Sequence, residues 1–237
     1  MDSRTEGPGR SLEKNRMGVP VKILITLVNA CTGINLMLGI ATVISASLGY
    51  QRIGALCLLS SVIFDAADGT LARLWGVSSE FGAQFDSLAD MTSFITAGSV
   101  LTFFWFAPGL PLPWIGAASG LYVLTGACRL ARFNSGSKVD GEFQGLPSTA
   151  MAALVATTYL SYPQLNCLWG LWLTVTLSLL MVSYYPYPKL NRILRYPRWI
   201  FGVIALVAVV CFKAAVWLCA VGYIVSGPLV WLRRKLS

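Results

Sequence analysis

The amino-acid sequence predicts an all-α polytopic membrane protein, and three observations carry that prediction. The 237 residues are 56% hydrophobic and only 12% charged, with a mean hydropathy of +0.66, a balance too apolar for a soluble globule with a charged surface. Apolar segments close to the ~20 residues that a helix needs to cross a bilayer recur along the chain, separated by short polar breaks. The basic residues gather at alternate breaks, as they do when those breaks share one face of a membrane.

Residues 1–22, MDSRTEGPGRSLEKNRMGVPVK, are polar, mixed in charge and rich in Gly and Pro, which predicts a tail lying outside the membrane. The apolar run that follows is a full span and not the short apolar region of a cleavable leader. Spans are expected at about 23–48, 52–75, 85–107, 112–133, 146–163 and 166–187, making a six-span unit over 23–187. The apolar run from Trp199 to Trp231 would extend roughly 50 Å as one helix, well beyond a ~30 Å hydrocarbon core. Lys213 in its middle suggests two short spans instead, so residues 188–237 are read as a C-terminal transmembrane hairpin with a basic tail.

Eight spans place both termini on one side. With that side cytoplasmic, every one of the 18 Lys and Arg except Arg52 and Lys213 lies on or near the cytoplasmic face, which agrees with the positive-inside rule. The net charge of +8 fits attraction to an anionic inner leaflet and calls for no nucleic acid. The cysteines, Cys31, Cys57, Cys128, Cys167, Cys211 and Cys219, are scattered without metal-like spacing and read as small packing residues with free thiols.

Against this background the stretch DAADGTLARLWGVSSEFGAQFDSLAD, residues 65–90, stands apart. Asp65 and Asp68 are three apart on the second expected helix, and Asp86 and Asp90 four apart on the third, so each pair shares a helical face. A nine-residue turn over 76–84 would bring the helices side by side, with four carboxyl groups converging near the cytoplasmic membrane edge. Such a group needs compensating charge in a low dielectric, and two hard divalent cations would supply it. Carboxylate oxygens with no His or Cys nearby suit Mg²⁺ or Mn²⁺ better than zinc. Histidine is absent from the whole chain, which leaves a carboxylate as the proton acceptor. Pairing with Arg73 is the plainer explanation of these acids, but one arginine cannot neutralise four.

The residues between the acids suit a phosphate ligand. Gly69 and Ala72 remove bulk beside Asp65 and Asp68. Arg73 offers a planar fork of donors to phosphate oxygens. Gly82 extends the third helix's face as small, acid, acid at 82, 86 and 90.

The pattern Asp-x-x-Asp-Gly-x-x-Ala-Arg, eight residues, then Gly-x-x-x-Asp-x-x-x-Asp resembles the signature of the CDP-alcohol phosphotransferases, and residues 65–90 match it without a departure. The resemblance implies a helical membrane enzyme with a six-helix core that exchanges the CMP of a CDP-linked lipid for an alcohol. It implies that Asp65, Asp68 and Asp86 ligate two metal ions per active site, and that Asp90 both touches a metal and acts as the base. Gly69, Arg73 and Ser79 would contact the CDP moiety, with Ala72 and Gly82 beside them and Asn29 of the first helix as a further polar contact.

The acceptor should be read by residues outside the signature, and RLARFNSGSKVDGEFQGLP at 129–147 is the richest candidate. Arg129 and Arg132 face nearly the same way at the end of the fourth helix, where two guanidinium groups suit a carboxylate or a phosphate; a basic loop obeying the positive-inside rule would look similar. Arg-Leu-Ala-Arg-Phe-Asn with Phe143-Gln144-Gly145-Leu146-Pro147, and Thr-Leu-Val-Asn-Ala-Cys-Thr-Gly at 26–33, resemble the phosphatidylserine synthase branch of the family. That likeness implies CDP-diacylglycerol and L-serine as substrates, the serine carboxylate held by Arg129 or Arg132 with Asn134 nearby. Glycerol 3-phosphate, inositol phosphate and choline are the rival acceptors, and Arg192, Arg195 and Arg198 could serve an acceptor phosphate.

A divalent-cation transporter is the reading from another class. It would favour acids at the midplane, repeated in related halves, whereas the acids here sit on one helix pair with no second copy. Gly116-x-x-x-Gly120 and the Ala41-to-Ser45 pattern would allow close helix contacts within or between chains, and the family resemblance implies a homodimer.

Overall fold

The computed structural model describes residues 20–135, 143–183 and 186–187, and these form six helices. They are α1 (Val21–Ser47), α2 (Gln51–Trp75), α3 (Glu80–Gly109), α4 (Leu112–Asn134), α5 (Ser148–Ser161) and α6 (Cys167–Val182). Each span expected within the six-span unit falls on one of them. The C-terminal hairpin, Arg192, Arg195 and Arg198, Lys213, Cys211 and Cys219 lie outside the described residues. A two-residue ladder, β1 (Phe143–Gln144) against β2 (Pro186–Tyr187), runs antiparallel with Phe143 opposite Tyr187.

Three helices, α1, α2 and α3, are both long and apolar enough to cross a membrane, and α6 is a shorter apolar helix. Their outward faces carry large apolar side chains, among them Met37 at 65%, Ile63 at 64% and Trp169 at 72% exposure. In water such surfaces would associate; against lipid tails they are at home.

The connections follow from local chemistry. Gly49, with φ +87°, ends the first helix. Gly76, at φ +62°, is the left-handed residue that closes α2, with its N–H and that of Val77 both on the Ala72 carbonyl. The turn expected over 76–84 is shorter than its spacing suggested, because Ser79 caps α3 by accepting the Gly82 N–H at 2.9 Å. The third helix therefore begins at Glu80 and not near residue 85. Asn166 caps α6 in the same manner, accepting from the Leu168 N–H at 2.9 Å.

Apolar residues meet lipid and protein with similar ease, so contacts between membrane helices depend on small residues and close packing. Thr42 Oγ1 donates to the Gly54 carbonyl at 3.1 Å, joining α1 to α2. A Cβ on Gly39 would lie 2.6 Å from the Cα of Ser93, so only glycine lets α1 approach α3 there. Gly126 accommodates Ile95, and Gly170 accommodates the Phe106 ring. Gly116 and Gly120, in contrast, meet nothing within 4 Å among the described residues, so this pair makes no close helix contact within them.

Halfway along, α3 changes character. Met91–Thr96 is a π-helical turn, with the Ala97 N–H bonded to the Thr92 carbonyl five residues back. The turn begins immediately after Asp90.

Gly39→Ala is expected to destabilise the protein by about 1–3 kcal/mol, since a backbone and not a mobile side chain occupies the space. Gly33→Ala, which meets nothing within 4 Å, should be neutral or slightly stabilising, and thermal unfolding in detergent compares the two. Equal melting temperatures would refute this account of the α1–α3 contact.

Candidate active site

The site is assembled on three helices. Asp65 and Asp68 project from α2 and Asp86 from α3, and a carboxylate oxygen from each lies within 4.8 Å of the others. Asp68 is buried, and its Oδ2 accepts a hydrogen bond from Thr32 Oγ1 of α1 at 2.7 Å. Asp90 lies beside Asp65, and its Oδ1 is buried with no hydrogen-bond partner among the described residues. Three of the four acids, Asp65, Asp68 and Asp86, thus converge, and Asp86 and Asp90 each interact electrostatically with carboxylates of α2.

Two carboxyl groups side by side need a shared proton or a cation between them. An all-oxygen donor set, one buried orphan acceptor and three ligand atoms within reach of a common point fit a hard divalent cation. The plainer pairing with Arg73 does not occur: among the described residues its guanidinium bonds Thr70 Oγ1, at 3.4 Å, and no aspartate.

Next to the acids lies an open cleft of about 170 Å³, whose lining includes Asn29 and Thr32 of α1, Asp68, Gly69 and Ala72 of α2, and Ser79, Gly82 and Asp86 of α3. Of the residues expected to hold a CDP-lipid, Asn29, Gly69, Ala72, Ser79 and Gly82 line this cleft. Arg73 is not part of the lining, and its guanidinium lies beside Gly69.

The two glycines of the signature do different work. A Cβ on Gly69 would meet only the Arg73 guanidinium, at 3.8 and 3.9 Å, so helix packing does not require glycine there; the open cleft does. A Cβ on Gly82 would come within 2.9 Å of Ser79 Oγ and 3.0 Å of Asn29 Oδ1, so its absence lets α3 seat against α1.

The residues expected at the acceptor are placed apart from one another. Arg129 is 9% exposed, donates from Nη1 to Ser148 Oγ at 3.1 Å, and interacts electrostatically with Asp90. Arg132 Nη1 donates to the Val182 carbonyl at the end of α6, at 3.1 Å. Asn134 exchanges hydrogen bonds with Ser87 at 3.1 and 3.2 Å, on an exposed part of α3. Arg129 is thereby tied to the acid cluster. Phe143 to Pro147 also has an architectural role: Gly145, at φ +79°, fits against the Met181 carbonyl, and the Leu146 N–H bonds the Leu180 carbonyl at 3.1 Å.

Two residues of the site were not anticipated. Thr32 lies three residues after Asn29 on the same face of α1, a spacing that could have revealed it. Ser148 reaches Arg129 across nineteen residues of sequence, and no local pattern announces it. Cys31, Cys57, Cys128 and Cys167 are free thiols, as expected.

Comparison with known proteins agrees with this geometry. Residues 25–182 match the CDP-alcohol phosphatidyltransferase family model. A CDP-diacylglycerol–serine O-phosphatidyltransferase of Helicobacter pylori is 35% identical over 201 residues, covering 81% of this chain and 82% of that protein. One from Methanocaldococcus jannaschii is 32% identical over 216 residues, covering 90% of this chain and 98% of its own length. An archaetidylserine synthase of Methanothermobacter thermautotrophicus is 30% identical over 174 residues, covering 71% and 69%. With its acids, its cleft and its apolar helices in place, the chain belongs to the CDP-alcohol phosphatidyltransferase family and is an enzyme of that type.

Proposed function

We propose that the protein transfers the phosphatidyl group of CDP-diacylglycerol to L-serine, forming phosphatidylserine and CMP at the cytoplasmic edge of the membrane. The observation that carries the choice of acceptor is Arg129, a buried guanidinium that interacts electrostatically with Asp90 of the acid cluster. A base and a fixed cation at one place suit an acceptor that has both a hydroxyl to deprotonate and a carboxylate to anchor. The names of the relatives above point the same way.

In this reading the cleft between α1, α2 and α3 takes the CDP moiety, with Gly69 allowing its phosphates close to the α2 backbone and Arg73 reaching them from one side. The serine hydroxyl loses its proton to Asp90, its oxygen bonds to the lipid-side phosphorus, and the phosphorus–oxygen bond to CMP breaks. Two divalent cations, Mg²⁺ or Mn²⁺, held by Asp65, Asp68, Asp86 and Asp90, would supply neutralisation of the diphosphate charge. Arg129 orients the acceptor, while Arg132 and Asn134 secure the end of α4 around it. Six spans form the catalytic unit, with two more in the C-terminal segment, both termini cytoplasmic, and two chains associate as a homodimer in the lipid bilayer.

Asp90→Asn is expected to abolish CMP release while CDP-diacylglycerol binding remains measurable, because three carboxylate ligands persist; unchanged turnover excludes Asp90 as the base. Supplied in parallel with serine, glycerol 3-phosphate, inositol phosphate or choline, the purified enzyme should release CMP with serine, and release only with another alcohol would reassign the acceptor. Thr32→Val removes the bond to Asp68 and should weaken Mg²⁺ or Mn²⁺ activation about 10–100-fold, measured by titrating metal into chelator-stripped enzyme. Zn²⁺ should restore that enzyme poorly.

A further inference from the structure

The π turn that follows Asp90 is held by residues to which the reaction described above gives no part. An α-helix advances about 100° per residue, so one additional residue in a turn rotates everything before it by that amount relative to everything after. On α3 this lets Asp86 and Asp90 face the acids of α2, while Ile95 and Gly98 meet Gly126 and Tyr122 of α4. The angular setting of the acids thus depends on a geometry that an uninterrupted helix lacks.

Such a turn is rare and needs external support, more so where lipid and protein exclude water. Tyr122 is fully buried, and its hydroxyl donates to the Phe94 carbonyl, inside the turn, at 3.0 Å. Gly98 makes the room: a Cβ there would lie 2.5 Å from the Tyr122 oxygen. On the opposite side Ser93 Oγ donates to the Asn35 carbonyl of α1 at 2.9 Å, and within the turn Thr96 Oγ1 donates to the Met91 carbonyl at 3.0 Å. The turn is therefore gripped from α1 and from α4 at Ser93 and Phe94, three and four residues past Asp90.

We infer that Tyr122 is a positioning residue for the transfer reaction: its hydroxyl holds the π turn of α3 and thereby the orientation of Asp90 toward Asp65. This rests on the reading of Asp90 as the base, which the Asp90→Asn variant tests separately. Tyr122 does not line the cleft, so its effect should fall on the rate of the chemical step and not on binding of the CDP-lipid.

The test compares Tyr122→Phe with Ser99→Ala in the full-length enzyme. Ser99 Oγ donates to the Ser119 carbonyl at 2.9 Å, an equally buried link between α3 and α4 that lies beyond the turn. Tyr122→Phe should lower kcat on the order of 10–100-fold with the KM for CDP-diacylglycerol changed by no more than about two-fold, the pattern of a misplaced reacting group. Ser99→Ala should leave kcat near the wild-type value. Wild-type kcat in Tyr122→Phe, or equal losses in the two variants, would overturn the inference. If Tyr122→Phe cannot be purified folded, Ser93→Ala loosens the other side of the same turn: a fall in kcat at constant KM supports the inference, and an unchanged kcat overturns it.

Discussion

Four carboxyl groups inside a bundle of apolar helices form the constraint around which this molecule is built. Ionised side chains resist removal from water, and like charges crowded together resist it further. The structure answers with partners drawn from separate elements. Thr32 of α1 bonds Asp68 of α2, Asp65 of α2 lies beside Asp90 of α3, and Arg129 of α4 interacts electrostatically with Asp90. Four helices are thus tied together where the acids lie, a charge that lipid could not accept. The part of that charge left uncompensated by protein is what a divalent cation would meet.

Glycine does the complementary work of closeness, and its meaning changes with position. At Gly39, Gly98, Gly126 and Gly170 the missing side chain lets another helix or a buried ring come near. At Gly69 a Cβ would meet, among the side chains of the described residues, the Arg73 guanidinium alone, and the beneficiary is whatever enters the cleft. Packing and binding therefore use the same residue for opposite reasons, in one case because the space is filled by protein and in the other because it is kept open.

The acceptor side shows how one short motif can carry architecture and chemistry together. Gly145 and Leu146 seat the segment after α4 on the last carbonyls of α6, and Arg132 bonds the Val182 carbonyl of the same helix end. The chain then enters α5 at Ser148, whose hydroxyl fixes Arg129. The Arg129 guanidinium is in this way set by three segments that are distant in sequence.

The helical, membrane-embedded class, the approximate limits of six helices and the convergence of Asp65, Asp68 and Asp86 were determined by the sequence alone. Apolar length and the spacing of acids along a helix are local quantities, and local quantities can be read from a linear chain. Other features were decided only by tertiary structure. These include the Thr32–Asp68 bond, the separate placement of Arg129, Arg132 and Asn134, and the grip of Tyr122 on Phe94 across twenty-eight residues. Each depends on which helix faces turn toward one another, and that is set by close packing among all the helices at once, a property no single segment encodes.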